Sequence, residues 1–115
     1  MLETIPAKEL DQYVYDPLVL IVDLRIEEEY EAGHIAGALN VPPQELMGLR
    51  PGKDRMLVLY CGRGGFSLEV ARRLAGKGYQ VKSVVGGYRA YRGKNIVTGK
   101  RRDGQIGIDS KAGGH

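Results

Sequence analysis

An apolar run that stops at the chain's one cysteine and gives way to glycine restricts the fold more than any other stretch. It reads Leu57-Val58-Leu59-Tyr60-Cys61-Gly62-Arg63-Gly64-Gly65-Phe66-Ser67. An apolar run this short before the cysteine is too brief for a helix and lacks the alternation of a half-exposed strand. It predicts a strand buried on both faces, as in a parallel sheet. Beyond Ser67 the period changes. Leu68, Val70, Ala71, Leu74 and Ala75 share one helical face, with Glu69, Arg72 and Arg73 opposite. Ser67 is the expected N-cap of that helix, and Lys77-Gly78 its stop. A buried strand feeding a helix through a short loop is half of a βαβ unit, which commits the chain to an α/β sheet.

The loop also suggests chemistry. Its three glycines relax the backbone, so that several N–H groups can turn toward one focus at the positive end of a helix. Such a focus favours an anion, either a bound oxyanion or a thiolate at Cys61. The alternative is a buried, inert cysteine, the common state of a free thiol in a core.

The rest of the chain repeats the alternation. Residues 3–5 predict a first strand, Pro6 and residues 7–13 a helix, and Asp16-Pro17 a turn. The apolar run 18–24 predicts a second buried strand, with Asp23 and Arg25 at its carboxyl end. Ligands bind at that edge of an open α/β sheet, so these charges either face the crevice of Cys61 or form a surface ion pair. Glu27–Ala32 reads as a short acidic helix closed by Gly33. His34, with no second ligand at metal spacing, is assigned a structural hydrogen bond. Residues 38–41 form a brief strand broken by Pro42-Pro43, and residues 44–49 a short helix. Residues 80–85 form the last long strand, and Gly86-Gly87 turns into a short helix ending at Tyr91. The expected architecture has three layers: a central parallel sheet of about five short strands with helices on both faces.

At 115 residues the chain suits one domain, assigned to residues 1–98, followed by a basic, Gly-rich tail over 99–115 in which Ile106 and Ile108 pack on the domain or on a partner. The net charge of +3 owes much to Arg92, Lys94, Lys100, Arg101 and Arg102. No nucleic-acid motif accompanies them, so they are read as a solvated surface and no nucleic-acid partner is expected. One cysteine excludes an intrachain disulfide. With no secretory signal and no apolar run of membrane length, the expectation is a cytoplasmic chain without membrane contact, a monomer or weak homodimer.

At these residues the chain resembles the rhodanese-like sulfurtransferases. The loop from Cys61 to Ser67 is similar to that family's active-site loop. So are Leu20-Ile21-Val22-Asp23-Leu24-Arg25, then Glu28-Glu29-Tyr30, then Gly33-His34-Ile35-Ala36-Gly37-Ala38-Leu39-Asn40, with Ala36 where the family often has Pro. Gly86-Gly87-Tyr88 with Tyr91 resembles its closing turn, and the likeness covers roughly residues 3–98. It implies a persulfide on Cys61, formed from a donor such as thiosulfate or another persulfide and passed to cyanide or a thiol. Gly62, Arg63, Gly64, Gly65, Phe66 and Ser67 would bind the substrate, Asp23 and Arg25 would organise the surroundings, and no metal or cofactor is needed. Phe66 departs from the pattern, because many thiosulfate-using members carry Arg there. Two other readings share the fold: a sulfur carrier or partner-binding module without turnover, and a phosphatase or arsenate reductase. The last would need an Arg where this chain has Ser67.

Overall fold

The computed structural model describes residues 1–100. Seven strands and two α-helices follow in order: β1 (Leu2–Pro6), β2 (Val19–Asp23), α1 (Glu27–Ala32), β3 (His34–Ile35), β4 (Leu39–Asn40), β5 (Met56–Tyr60), α2 (Gly65–Gly76), β6 (Val81–Val85) and β7 (Ile96–Val97). The helices expected after Pro6, Pro43 and Gly87 are tighter 3-10 helices, at Ala7–Gln12, Pro43–Gly48 and Tyr88–Ala90.

Five strands form one parallel sheet in the order β1-β6-β5-β2-β4. The strand ending at Cys61 is central, flanked by β2 and β6. Side-chain alternation then sorts the two faces. Val19 and Ile21 of β2, with Val58 and Tyr60 of β5, enter one core beside Leu10, Tyr30, Ile35 and Tyr91. Leu20 and Val22, with Leu57 and Leu59, enter the other, against Val70, Ala71 and Leu74 of α2. Continuing the odd series puts Cys61 on the α2 face, while Tyr60 faces α1. That parity decides what each can touch.

One small element carried no sequence signal. β3 and β7 form a separate antiparallel pair of two residues each, His34 opposite Val97 and Ile35 opposite Ile96. It ties the end of the described chain to the loop after α1. The Gly99 N–H extends the tie by donating to the Glu31 carbonyl at 3.0 Å. Most of the expected tail, including Ile106 and Ile108, lies outside the described residues. Among the described residues, no helix is long and apolar enough to cross a membrane.

Candidate active site

Cys61 is the first residue beyond β5, at the carboxyl edge of the sheet, and is 6% exposed. Its Sγ accepts the Gly64 N–H at 3.0 Å and the Ser67 N–H at 3.3 Å. Two backbone donors at the start of a helix thus converge on one sulfur atom. The cradle forms because Gly64, not Ser67, caps α2: Gly64 adopts φ 105°, which a side chain rarely allows. The expected Ser67 cap is therefore corrected. Ser67 lies inside the first turn, fully buried, with its hydroxyl donating to the Gly64 carbonyl at 3.0 Å and meeting the Ser83 hydroxyl at 2.9 Å.

The carbonyls of the same loop are drawn the other way. Cys61 O accepts the Tyr88 N–H at 2.8 Å and Gly62 O accepts the Arg89 N–H at 3.1 Å. Both donors sit on the 3-10 turn after Gly86-Gly87. The approach is so close that a Cβ on Gly87 (φ 63°) would overlap the Cys61 carbonyl oxygen, and one on Gly64 would lie 2.7 Å from the Gly86 nitrogen. Backbone packs on backbone here. The peptide dipoles are sorted, with N–H groups toward sulfur and C=O groups away.

Asp23 and Arg25 are not a surface pair. Asp23 is fully buried and Arg25 is 9% exposed. Arg25 donates to Asp23 through its backbone N–H (2.9 Å), Nε (3.1 Å) and Nη2 (2.8 Å), and Nη2 also reaches the Gly33 carbonyl. Its guanidinium lies 3.9 Å from the Tyr88 ring centroid. Burial works against the Arg25 charge, but the Asp23 hydrogen bonds and charge outweigh it, and the net shift is upward. On the far side Tyr60 Oη donates to Asp23 at 2.7 Å and accepts the Ile35 N–H at 3.0 Å. Burial, reinforced by the Asp23 charge, pushes the Tyr60 phenol well above its ordinary range. His34 takes the structural place expected of it: Nδ1–H donates to the Tyr30 carbonyl at 2.7 Å, and the ring stacks on Tyr30.

A cavity of about 410 Å³ opens beside the loop, walled by Arg25, Gly62, Arg63, Tyr88 and Arg89, with Glu29 and Gly33 at its α1 side. A smaller hollow of about 250 Å³ lies over Gly64, Gly65 and Gly86. Of the residues expected to bind substrate, Gly62 lines the first, Gly64 and Gly65 the second, and Arg63 both. Phe66 lines neither and is 39% exposed. Tyr60 and Arg89 carried no sequence signal of their own. Gly87 and Tyr88 belonged to a recognised turn, but nothing in the sequence says that it lands on the cysteine loop.

Residues 6–94 match the family model of the rhodanese-like domain. The chain belongs to that family. The assignment accords with the fold: a rhodanese-like domain protein from Staphylococcus aureus superposes with TM-score 0.69 at 27% identity, over 84% of this chain and 97% of the other. Among curated relatives, the tRNA sulfurtransferase of Desulfurococcus amylolyticus is 37% identical over 92 residues, 78% of this chain but 18% of its own length. The tRNA uridine(34) hydroxylase of Hamiltonella defensa is 35% identical over 107 residues, 84% of this chain and 29% of its own. The rhodanese-like chain thus spans less than a third of these relatives. The comparisons support sulfur transfer in general terms, and neither relative is named for thiosulfate.

Proposed function

We propose that this rhodanese-like domain accepts a sulfane sulfur on Cys61 as a persulfide and hands it to a nucleophilic acceptor. The observation that carries the reading is the pair of N–H groups, from Gly64 and Ser67, aimed at Cys61 Sγ. With thiosulfate as donor, the Cys61 thiolate attacks the outer sulfur. The S–S bond breaks, and sulfite leaves with the electron pair. The loop amides then hold the negative charge of the persulfide, as oxyanion-hole donors do. Cyanide or a thiolate next attacks the terminal sulfur, giving thiocyanate or a new persulfide and returning Cys61 as thiolate. Neither step draws on a metal or cofactor. A persulfide donor serves the first step equally well, and Phe66, in place of a guanidinium, favours such a donor over thiosulfate.

A second reading, a sulfur carrier that works only beside other domains or a protein partner, is favoured by relatives named for tRNA modification of which this domain covers 18% and 29%. It shares the persulfide step. Phosphatase chemistry is disfavoured, because Ser67 stands where an oxyanion-clamping Arg is required and its hydroxyl is engaged by Gly64 and Ser83. The test is intact mass after incubation with thiosulfate or an organic persulfide. A gain of about 32 Da, one sulfur, is expected, and it is lost in Cys61→Ser together with all but about 1% of transfer activity. A Cys61→Ser protein that still gains sulfur overturns the reading. Turnover with free thiosulfate and cyanide separates the enzyme from the carrier.

A further inference from the structure

Away from the cysteine loop, a narrow groove lies between the 3-10 helix Pro43–Gly48 and the second half of α2. Its inner wall is aliphatic. Leu49, Val70 and Leu74 are buried, Leu46 is half-buried, and Met47 stands 81% exposed at the rim. A methionine there can mould its flexible thioether to an irregular partner surface. The enclosed volume of about 110 Å³ is well below that of pockets for organic ligands, on the order of 300–1,000 Å³, and suits a single aliphatic side chain.

The rest of the lining is cationic. Arg50, Arg73 and Lys77 complete it, and no carboxylate is among the lining residues. Arg50 Nη1 donates to the Met47 and Leu49 carbonyls at 2.7 and 3.0 Å, which fixes its guanidinium beside the groove. Arg73 and Lys77 are exposed and make no ion pair with any described residue. They stand one helical turn apart, in the last turn and at the C-cap of α2. Like charges at that spacing disfavour a helix slightly. The helix dipole accounts for a cation at either place, but not for an uncovered Met47 on the same groove.

From this juxtaposition of aliphatic wall and unpaired cations we infer that the groove docks an acidic peptide segment of a partner protein. The segment seats one aliphatic side chain against Met47 and Leu74 and lays its carboxylates on Arg73 and Lys77. The lining holds no aromatic side chain on which a base could stack, so a polypeptide fits it better than a nucleic acid. Arg73 follows the first residue of α2, Gly65, by a helical rise of about 12 Å, so the anchor point is set apart from Cys61. The inference is independent of the persulfide reading.

The test is selection of a random dodecapeptide display library on the full chain, followed by fluorescence anisotropy with the best synthetic peptide. The selected sequences should be rich in Asp and Glu and carry an aliphatic residue. A solvent-facing ion pair contributes up to about fivefold, so Arg73→Gln,Lys77→Gln should weaken the peptide about tenfold, as should a rise to about 0.5 M salt. Met47→Asp, which removes the apolar contact and adds a repelling charge, should weaken it by a similar factor. Alkylation of Cys61 at the wild-type rate shows that both variants are folded. Binding that survives either set of substitutions overturns the inference, and so does a selection that yields no acidic sequences. An oligothymidylate dodecamer that binds through Arg73 and Lys77 more tightly than the peptide assigns the surface to nucleic acid and overturns it too.

Discussion

Replacing Gly87 with Ala inserts a single methyl group where the 3-10 turn presses on the cysteine loop. Two costs add. Gly87 holds φ 63° and ψ −156°, a region open almost only to glycine, and forcing a side chain into it costs about 1–3 kcal/mol. The new Cβ would also overlap the Cys61 carbonyl oxygen and lie 2.8 Å from the Gly62 carbonyl carbon, both backbone atoms with no rotamer to yield. Relief requires the loop and turn to separate, weakening the Tyr88 and Arg89 N–H bonds to Cys61 O and Gly62 O, each a net contribution of about 1 kcal/mol. The expected loss is about 3–5 kcal/mol by urea unfolding. Because the same carbonyls then swing back toward the sulfur, loading of Cys61 in the folded fraction should slow by about tenfold or more, a barrier increase of about 1.4 kcal/mol. Gly76→Ala supplies the contrast: it lies in α2, exposed, with nothing within 4 Å of the added atom, and is expected to be neutral or to stabilise by up to about 1 kcal/mol. A Gly87→Ala protein within about 1 kcal/mol of wild type that loads sulfur at the normal rate would refute the reasoning.

Two further outcomes test the surroundings. Tyr60→Phe leaves Asp23 Oδ2 and the Ile35 N–H short of a buried partner and should cost about 1–3 kcal/mol by chemical denaturation at neutral pH. The phenol is raised in the folded state, so its stabilisation is full below the unfolded value near 10.0 and is lost as pH climbs above it. The gap between wild type and variant should therefore narrow above about pH 10, and a gap that widens there contradicts the assignment. Phe66→Arg, which would restore a guanidinium common in thiosulfate-using relatives, should raise thiosulfate kcat/KM by no more than about fivefold, because position 66 is partly exposed and lines neither cavity. A gain approaching a hundredfold would mean that the side chain reaches the sulfur.

The long strands were legible to within a residue or two: 18–24 and 57–60 are nearly unbroken apolar runs, and 80–85 carries Val81, Val84 and Val85 between turn signals. The pair β3 and β7 was not, because two residues carry no period. Ser67 was misread for a subtler reason. Serine favours both the cap and the first turn, and the choice falls to Gly64, whose left-handed backbone abuts Gly86, a contact 22 positions away in the chain. Cys61 stood out because a lone cysteine at a strand-to-glycine junction is a local pattern. Arg89 did not, since its place depends on the turn after β6 reaching across to the loop after β5, a fact of topology and not of composition. Asp23 and Arg25 were visible as charges ending an apolar run. Their burial came from Tyr60, a residue that reads from sequence as plain core.

The pairing of β1 with β6 sets a schedule on the ribosome. Leu2–Pro6 is made well before its hydrogen-bonding partner Val81–Val85, and the sheet cannot close before those later residues leave the exit tunnel. At roughly 5–20 residues per second, the first strand spends on the order of ten seconds unmatched, with Ile5 bare of the core it will join. By contrast β2, β4 and β5 emerge in sequence and can assemble as they appear. The domain is thus expected to fold from its middle outward, and its slowest native contact is the one that seats β1 against β6.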